Sequence, residues 1–138
     1  MIEVLRAYEW IQSTLSADAT LAALVGSRIY SEQAPQERVM PFVVFNLQGG
    51  TDLRAVGTVR VYNNSLYQVK GVTQGRDYAT GKSIADRIDV LLHGAAGNTS
   101  DGSILGCVRE QPLVFAENDG GVEYRHVGGL YRLYVQET

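Results

Sequence analysis

At Pro41 the apolar pattern of this chain changes its period, and that change narrows the folds open to it. Upstream, Leu5, Tyr8, Ile11 and Leu15 recur in steps of three, three and four, the single stripe of a helix over residues 2–16. Glu3, Arg6, Glu9 and Gln12 take its other faces. Asp18 is placed to cap a second, short helix with Leu21, Leu24 and Val25 facing inward, and Gly26 supplies its stop. Downstream of Pro41, the run from Phe42 to Leu47 is apolar on both faces apart from Asn46, as in a central strand.

The rest of the chain extends this scheme. Gly49-Gly50-Thr51-Asp52 is expected to break the strand, Thr58 to Tyr62 alternates, and Asn63-Asn64 reads as a hairpin turn into a third strand over 66–72. These three strands make an antiparallel meander. A helix follows, with Asp77 as N-cap and a buried stripe of either Ala85, Ile88 and Leu92 or Ile84, Ile88 and Leu91. Asp86, Arg87 and Asp89 are expected to face water, and Gly94 to end it. Gly81 costs this helix roughly 1 kcal/mol relative to alanine, which predicts a frayed first turn. Residues 94–102 read as a polar loop with nothing to bury. Strands at 104–109 and 113–116 flank Pro112, and Asn118-Asp119-Gly120-Gly121 is a second hairpin turn. In the last strand, Val122 and Tyr124 have one parity while Tyr131, Leu133 and Val135 have the other. A bulge at Gly128-Gly129 would reconcile them. The expected fold class is α+β: a single layer of mostly antiparallel sheet, meander plus C-terminal hairpin, with helices packed on one face. Residues 1–138 are read as a single domain.

Composition excludes more than it selects. Twelve Lys plus Arg against fifteen Asp plus Glu give a net charge of −3, with no basic run. Binding nucleic acid through phosphates needs a clustered basic face. The one cysteine, Cys107, leaves no partner for an intrachain disulfide and too few thiols for a cysteine-rich zinc site. The first residues lack the basic start and apolar core of a secretory signal, and no apolar run approaches the ~18 residues of a membrane span. The chain is therefore expected to be made in a cytoplasm and to stay soluble.

Reactive patterns are weak. Residues from Gly75 to Ser83 resemble a phosphate-binding loop, but five residues rather than four precede Gly81-Lys82-Ser83, and Arg76 stands where glycine is needed. An extra residue and a side chain spoil the nest of backbone N–H groups that would hold a phosphate. Cys107 would need a histidine base, and neither His93 nor His126 has a catalytic sequence context. Two histidines and one cysteine do not build a transition-metal site. The expectation is no enzyme and no cofactor. Eight tyrosines against three phenylalanines and one tryptophan suit half-buried surfaces, either wet sheet edges or faces that meet a partner.

The ordered set Leu24-Val25-Gly26-Ser27-Arg28-Ile29-Tyr30, Ala34-Pro35, and Pro41-Phe42-Val43-Val44-Phe45 carries a resemblance. With the helix from Tyr78 to Leu92 and the closing Tyr131-Arg132-Leu133-Tyr134, the chain resembles the tail terminator, or tail-completion, proteins of long-tailed bacteriophages, prophages and gene transfer agents. The resemblance implies a virion structural protein, assembled in the bacterial cytoplasm, that forms a homo-oligomeric, hexameric ring at the head-proximal end of the tail tube. Its implied partners are further copies of itself, the tail tube protein and a head-completion or neck protein. DNA would pass the lumen without specific binding, and no membrane is involved. The family carries no catalytic residues across. The alternatives are a neck protein of the same connector, a nucleotide-binding enzyme using Gly81-Lys82-Ser83, and a cellular binding module using its tyrosine-rich sheet. Contacts are expected in the loops: Asp52 and Arg54 in the connection over 49–57, Arg60 and Tyr62 just after it, and Asn98 and Asp101 in the loop over 94–102.

Overall fold

Among the described residues, three helices cover one face of a six-stranded sheet. The computed structural model describes residues 2–58, 60–99 and 102–137. In chain order the elements are α1 (Ile2–Ser16), α2 (Ala19–Val25), β1 (Ile29–Ser31), β2 (Phe42–Arg54), β3 (Arg60–Gln74), α3 (Ala79–Leu92), β4 (Gly97–Thr99), β5 (Gly102–Asp119) and β6 (Val122–Glu137). The sheet order is β1-β2-β3-β6-β5-β4, antiparallel throughout except that β1 runs parallel to β2. This is the α+β architecture the sequence implies.

The core lies between helices and sheet. Ile11, Leu15, Leu21, Val25, Ile84, Ile88 and Leu92 pack onto Val43, Phe45, Tyr67, Val69, Tyr131, Leu133 and Val135. The stripe of α1 is rotated from the expected one. Leu5 is 55% exposed, whereas Ala7 and Trp10 are buried and Val4 packs on the core. Glu3, expected off the apolar stripe, is buried as well. The reason is lateral: α1 reaches across to β4, where a Cβ on Gly97 would lie 2.7 Å from Trp10 Nε1. Asp18 caps α2 as expected, its carboxylate accepting from the Leu21 amide at 2.8 Å. In α3 the cap position is Tyr78, while Asp77 still accepts from the Ala79 amide. Its buried stripe is Gly81, Ile84, Ile88 and Leu92, a blend of the two readings. Gly81 marks no fraying: a Cβ there would meet Val127 Cγ2 at 2.9 Å, so it sets how closely α3 approaches the sheet. Asp86 faces water and pairs with Lys82. Arg87 and Asp89 do not simply face water, because they bond Asp18 and the Tyr131 hydroxyl.

The strands are longer than the turn residues suggest. Gly49-Gly50 does not end β2, which runs on to Arg54 past a bulge at Gln48. A Cβ on Gly50 would lie 2.5 Å from the Asn64 carbonyl oxygen, so this glycine answers to a close strand approach rather than to a turn. Asn63-Asn64 is not a turn but the middle of β3, where Asn63 donates to Asp52 and Asn64 accepts from Arg132. Cross-strand partners replace the local bonds these side chains would make in a turn. The expected third strand is therefore the continuation of the second. Residues 97–99 form β4 rather than loop, and β1 was not foreseen at all. Pro112 is accommodated within β5 because β4 pairs only with Gly102 to Ile104, leaving β5 an edge beyond that point. The Gly120-Gly121 turn has positive φ at both residues, as a two-residue hairpin turn demands.

The expected bulge at Gly128-Gly129 is absent. β6 pairs with β3 without any register shift, and the bulges lie on β5, at Leu105 and Glu110. The two parities of β6 are real because both faces of the sheet are apolar. Tyr131, Leu133 and Val135 face the helices, while Tyr124 joins Phe42, Val44 and Val72 in a second cluster on the opposite face. β1 and the crossover that leads to β2 lie on that cluster through Tyr30, Ala34 and Met40.

Candidate assembly surface

Two hairpins carry the exposed extremities of the sheet. In the first, the β2–β3 hairpin, described residues 47–58 are all exposed, and Val56 is fully so. Arg60 pairs with Asp52 at 3.7 Å, and Asn63 holds the same carboxylate at 2.9 Å. Arg54 faces Arg60 across the strands, so Asp52 balances a like-charged pair at the hairpin's end. Tyr62 meets Tyr134 edge-on, ring centroids 6.0 Å apart. Four of the residues expected to make contacts, Asp52, Arg54, Arg60 and Tyr62, are thus brought together, although on a paired hairpin rather than the expected long loop over 49–57.

The other expected residues lie elsewhere. Asn98 sits on β4 and accepts from the Ser103 hydroxyl at 3.0 Å. Asp101 lies outside the described residues. Register carries Asp52 to Asn63, Val135, Ile104 and Gly97 in turn, so Asn98 is at the same end of the sheet but four strands away. At ~4.8 Å per strand that is roughly 19 Å along the sheet. The second hairpin, β5–β6, projects at the opposite end. Residues 108–122 are exposed apart from Leu113, and Arg76 fastens the hairpin through Glu123 at 2.7 Å. The sequence placed its turn correctly and assigned it no role.

A third feature was missed. On the face without helices, the β1–β2 crossover and the β5–β6 hairpin border a groove of about 340 Å³. Its floor is Phe42, Val44, Val72 and Tyr124. Arg38 lies over Phe42 and Tyr124, 5.8 and 5.9 Å from the ring centres, and the Lys70 ammonium lies 4.9 Å over Phe115. His126 stacks on Phe115 and shares a hydrogen bond of 2.9 Å with Glu117. The even parity of Phe42, Val44, Val72 and Tyr124 was the available signal.

The reactive side chains are held in structural roles. Burial pushes the Cys107 thiol up to about 12, the reverse of an activated thiolate. His93 Nδ1 accepts the Arg109 amide at 3.0 Å. Burial, with Lys70 adding to it, pulls His126 below its ordinary value, against the bond to Glu117 that raises it. Gly81-Lys82-Ser83 lies inside α3, its glycine pressed on the sheet, where no loop can wrap a phosphate.

Comparisons with known proteins agree with this structural character. The family model described as tail completion protein gp17 matches residues 9–135. A chain in the solved virion of a native gene transfer agent particle superposes with a TM-score of 0.70 at 21% identity, over 91% of each chain. No curated protein matches. The structural likeness is one of fold. The family match extends over almost the whole sequence, and the chain belongs to the tail completion protein gp17 family, a structural component of the phage tail.

Proposed function

We propose that this protein forms a homo-oligomeric ring, a hexamer, at the head-proximal end of the tail tube, where it ends tube polymerisation and receives the neck or head-completion protein. The observation that carries the reading is the pair of exposed hairpins at opposite ends of one sheet. They differ in sequence and shape, so contacts between copies would join unlike patches. Repeated with rotation, such contacts close into a ring. Beyond Phe45 the outer edge of β2 has no strand neighbour among the described residues. An uncovered edge of that length is an aggregation risk that assembly removes. In this reading the protein acts by shape and contact, without a cofactor or a catalytic step, and DNA slides through the lumen past a mildly acidic chain.

The test is negative-stain imaging of purified protein with growing tail tubes. Rings seated at one end of tubes of arrested length are expected. Tubes that keep growing with bare ends would reject the proposal, and density on the head connector alone would move the protein to the neck. In the same assay Arg54→Glu should abolish capping or joining while leaving monomer stability within about 0.5 kcal/mol, as for an exposed site. Unaltered capping would remove the first hairpin from the interface.

A further inference from the structure

Two backbone edges of the sheet are open, and each is sealed at one end by a side chain. On β2 the Glu32 amide donates to the Phe45 carbonyl at 2.8 Å, and the Tyr8 hydroxyl accepts the next outward amide, that of Leu47, at 2.8 Å. On β5 the Gly94 amide donates to the Cys107 carbonyl at 2.7 Å, and His93 Nδ1 accepts the Arg109 amide at 3.0 Å. Past these seals, residues 48–54 of β2 and 110–119 of β5 have no backbone partner on their outer side among the described residues. Pro112 has no N–H to offer, which leaves 113–119 as the usable part of the β5 edge, equal in length to 48–54. The β2 stretch carries neither the lysine nor the proline that commonly guards a free edge.

We propose that residues 48–54 of one copy add as an antiparallel strand to residues 113–119 of the next, so that the sheet runs on across the subunit boundary. This deepens the ring reading and rests on it. Strand direction selects the pairing. β2, β3, β6 and β5 alternate in sense, so two copies set side by side in the same orientation bring β2 and β5 together antiparallel. The faces match as well. Leu53 is opposite Tyr62, whose parity is that of the groove residues Gln68 and Lys70, and Phe115 is opposite His126 in the same groove. Both side chains therefore lie on the helix-free face, 39% and 38% exposed, and the pairing sets one against the other. Like edges fit worse. Two β5 edges would gather Glu117 and Asp119 of both copies at one seam. Like-with-like contacts at both edges also build an open chain, whereas β2 on β5 covers both edges of every copy and can close.

The test is disulfide trapping in assembled particles under mild oxidation, read on non-reducing gels. Directly opposed strand residues bring their Cβ atoms within disulfide reach. The native Cys107 is buried and supplies no surface thiol. The chain carrying both Leu53→Cys and Phe115→Cys should lose its monomer band to a ladder of linked multimers that reductant collapses. Leu53→Cys with Leu113→Cys samples the register one step along the same face and leaves Phe115 in place. A ladder from either pair supports the proposal. Its absence from both, in chains that melt at the wild-type temperature, would overturn it. A linked dimer from Leu53→Cys alone or Phe115→Cys alone would overturn it too, because like edges would then be meeting. Imaging the same particles separates the two proposals: rings without a ladder reject the strand pairing alone, and a ladder in open filaments rejects the ring alone.

Discussion

Gly128 shows how much one missing Cβ can decide. A Cβ there would lie 2.1 Å from the Val69 carbonyl oxygen and 2.5 Å from Lys70 Cα. Both are backbone of β3, which cannot yield without giving up its pairing with β6. Gly128→Ala should therefore destabilise the protein by about 3 kcal/mol or more, at the upper end of overpacking costs. Urea unfolding checks this through a lowered midpoint at unchanged slope. A variant as stable as wild type would mean that the strands separate freely at this point. The sequence marked Gly128-Gly129 as special but assigned the wrong cause, since a bulge and a close approach select the same residue. The same holds at Gly81, Gly50 and Gly97, where the atom that glycine makes room for comes from a segment distant in sequence.

At the scale of elements, periodicity located each helix, and contacts between elements adjusted the faces. α2 and α3 are tied by Asp18 and Arg87. One Asp18 oxygen accepts from the Leu21 amide and Arg87 Nε, both at 2.8 Å, and the other accepts from the Arg87 terminal nitrogen at 2.7 Å. Arg87 foremost, with the Leu21 amide, holds the Asp18 carboxyl down at about 2. A carboxyl depressed in the folded state contributes stability that is complete above its unfolded value, about 3.9, and lost as pH falls through the folded one. Asp18→Asn retains a capping side chain but not the charge. The melting-temperature gap between wild type and Asp18→Asn should hold steady from pH 7 to 5 and close between about pH 4 and 2. A gap that persists unchanged at pH 2 would show that the pair does not contribute through its charge. Asp18 was legible as a cap because capping is local; its bond to a residue 69 positions later was not.

At the scale of the molecule, two central strands carry the fold and two hairpins reach out of it. β3 and β6 are paired on both sides and buried beneath the helices. In the first hairpin, the β2 strand and turn are exposed at every described residue from Leu47 to Thr58. Amides in 48–54 should exchange with deuterium orders of magnitude faster than those in 65–72 and 127–135, since local opening tracks buried contacts. In assembled particles the 48–54 amides should slow markedly. Core-like protection of 48–54 in the isolated protein would mean that the hairpin is already covered, and equal exchange rates inside and outside the particle would mean it makes no contact there.

The sequence by itself determined the helix positions, the α+β class, the cap at Asp18, the turn at Gly120-Gly121 and the order of motifs that marks the family. Each rests on near-neighbour chemistry or on a repeat period, which a linear reading preserves. Only the tertiary structure decided that Asn63-Asn64 continues a strand, that β1 joins the sheet in parallel, that the sheet is apolar on both faces and that a groove opens on the second. Those outcomes depend on which distant strand supplies a hydrogen bond or a packing surface, and local pattern does not encode it. The stretch from Leu21 to Phe45 shows both sides: its residues identify the family, while its crossover builds one wall of the groove.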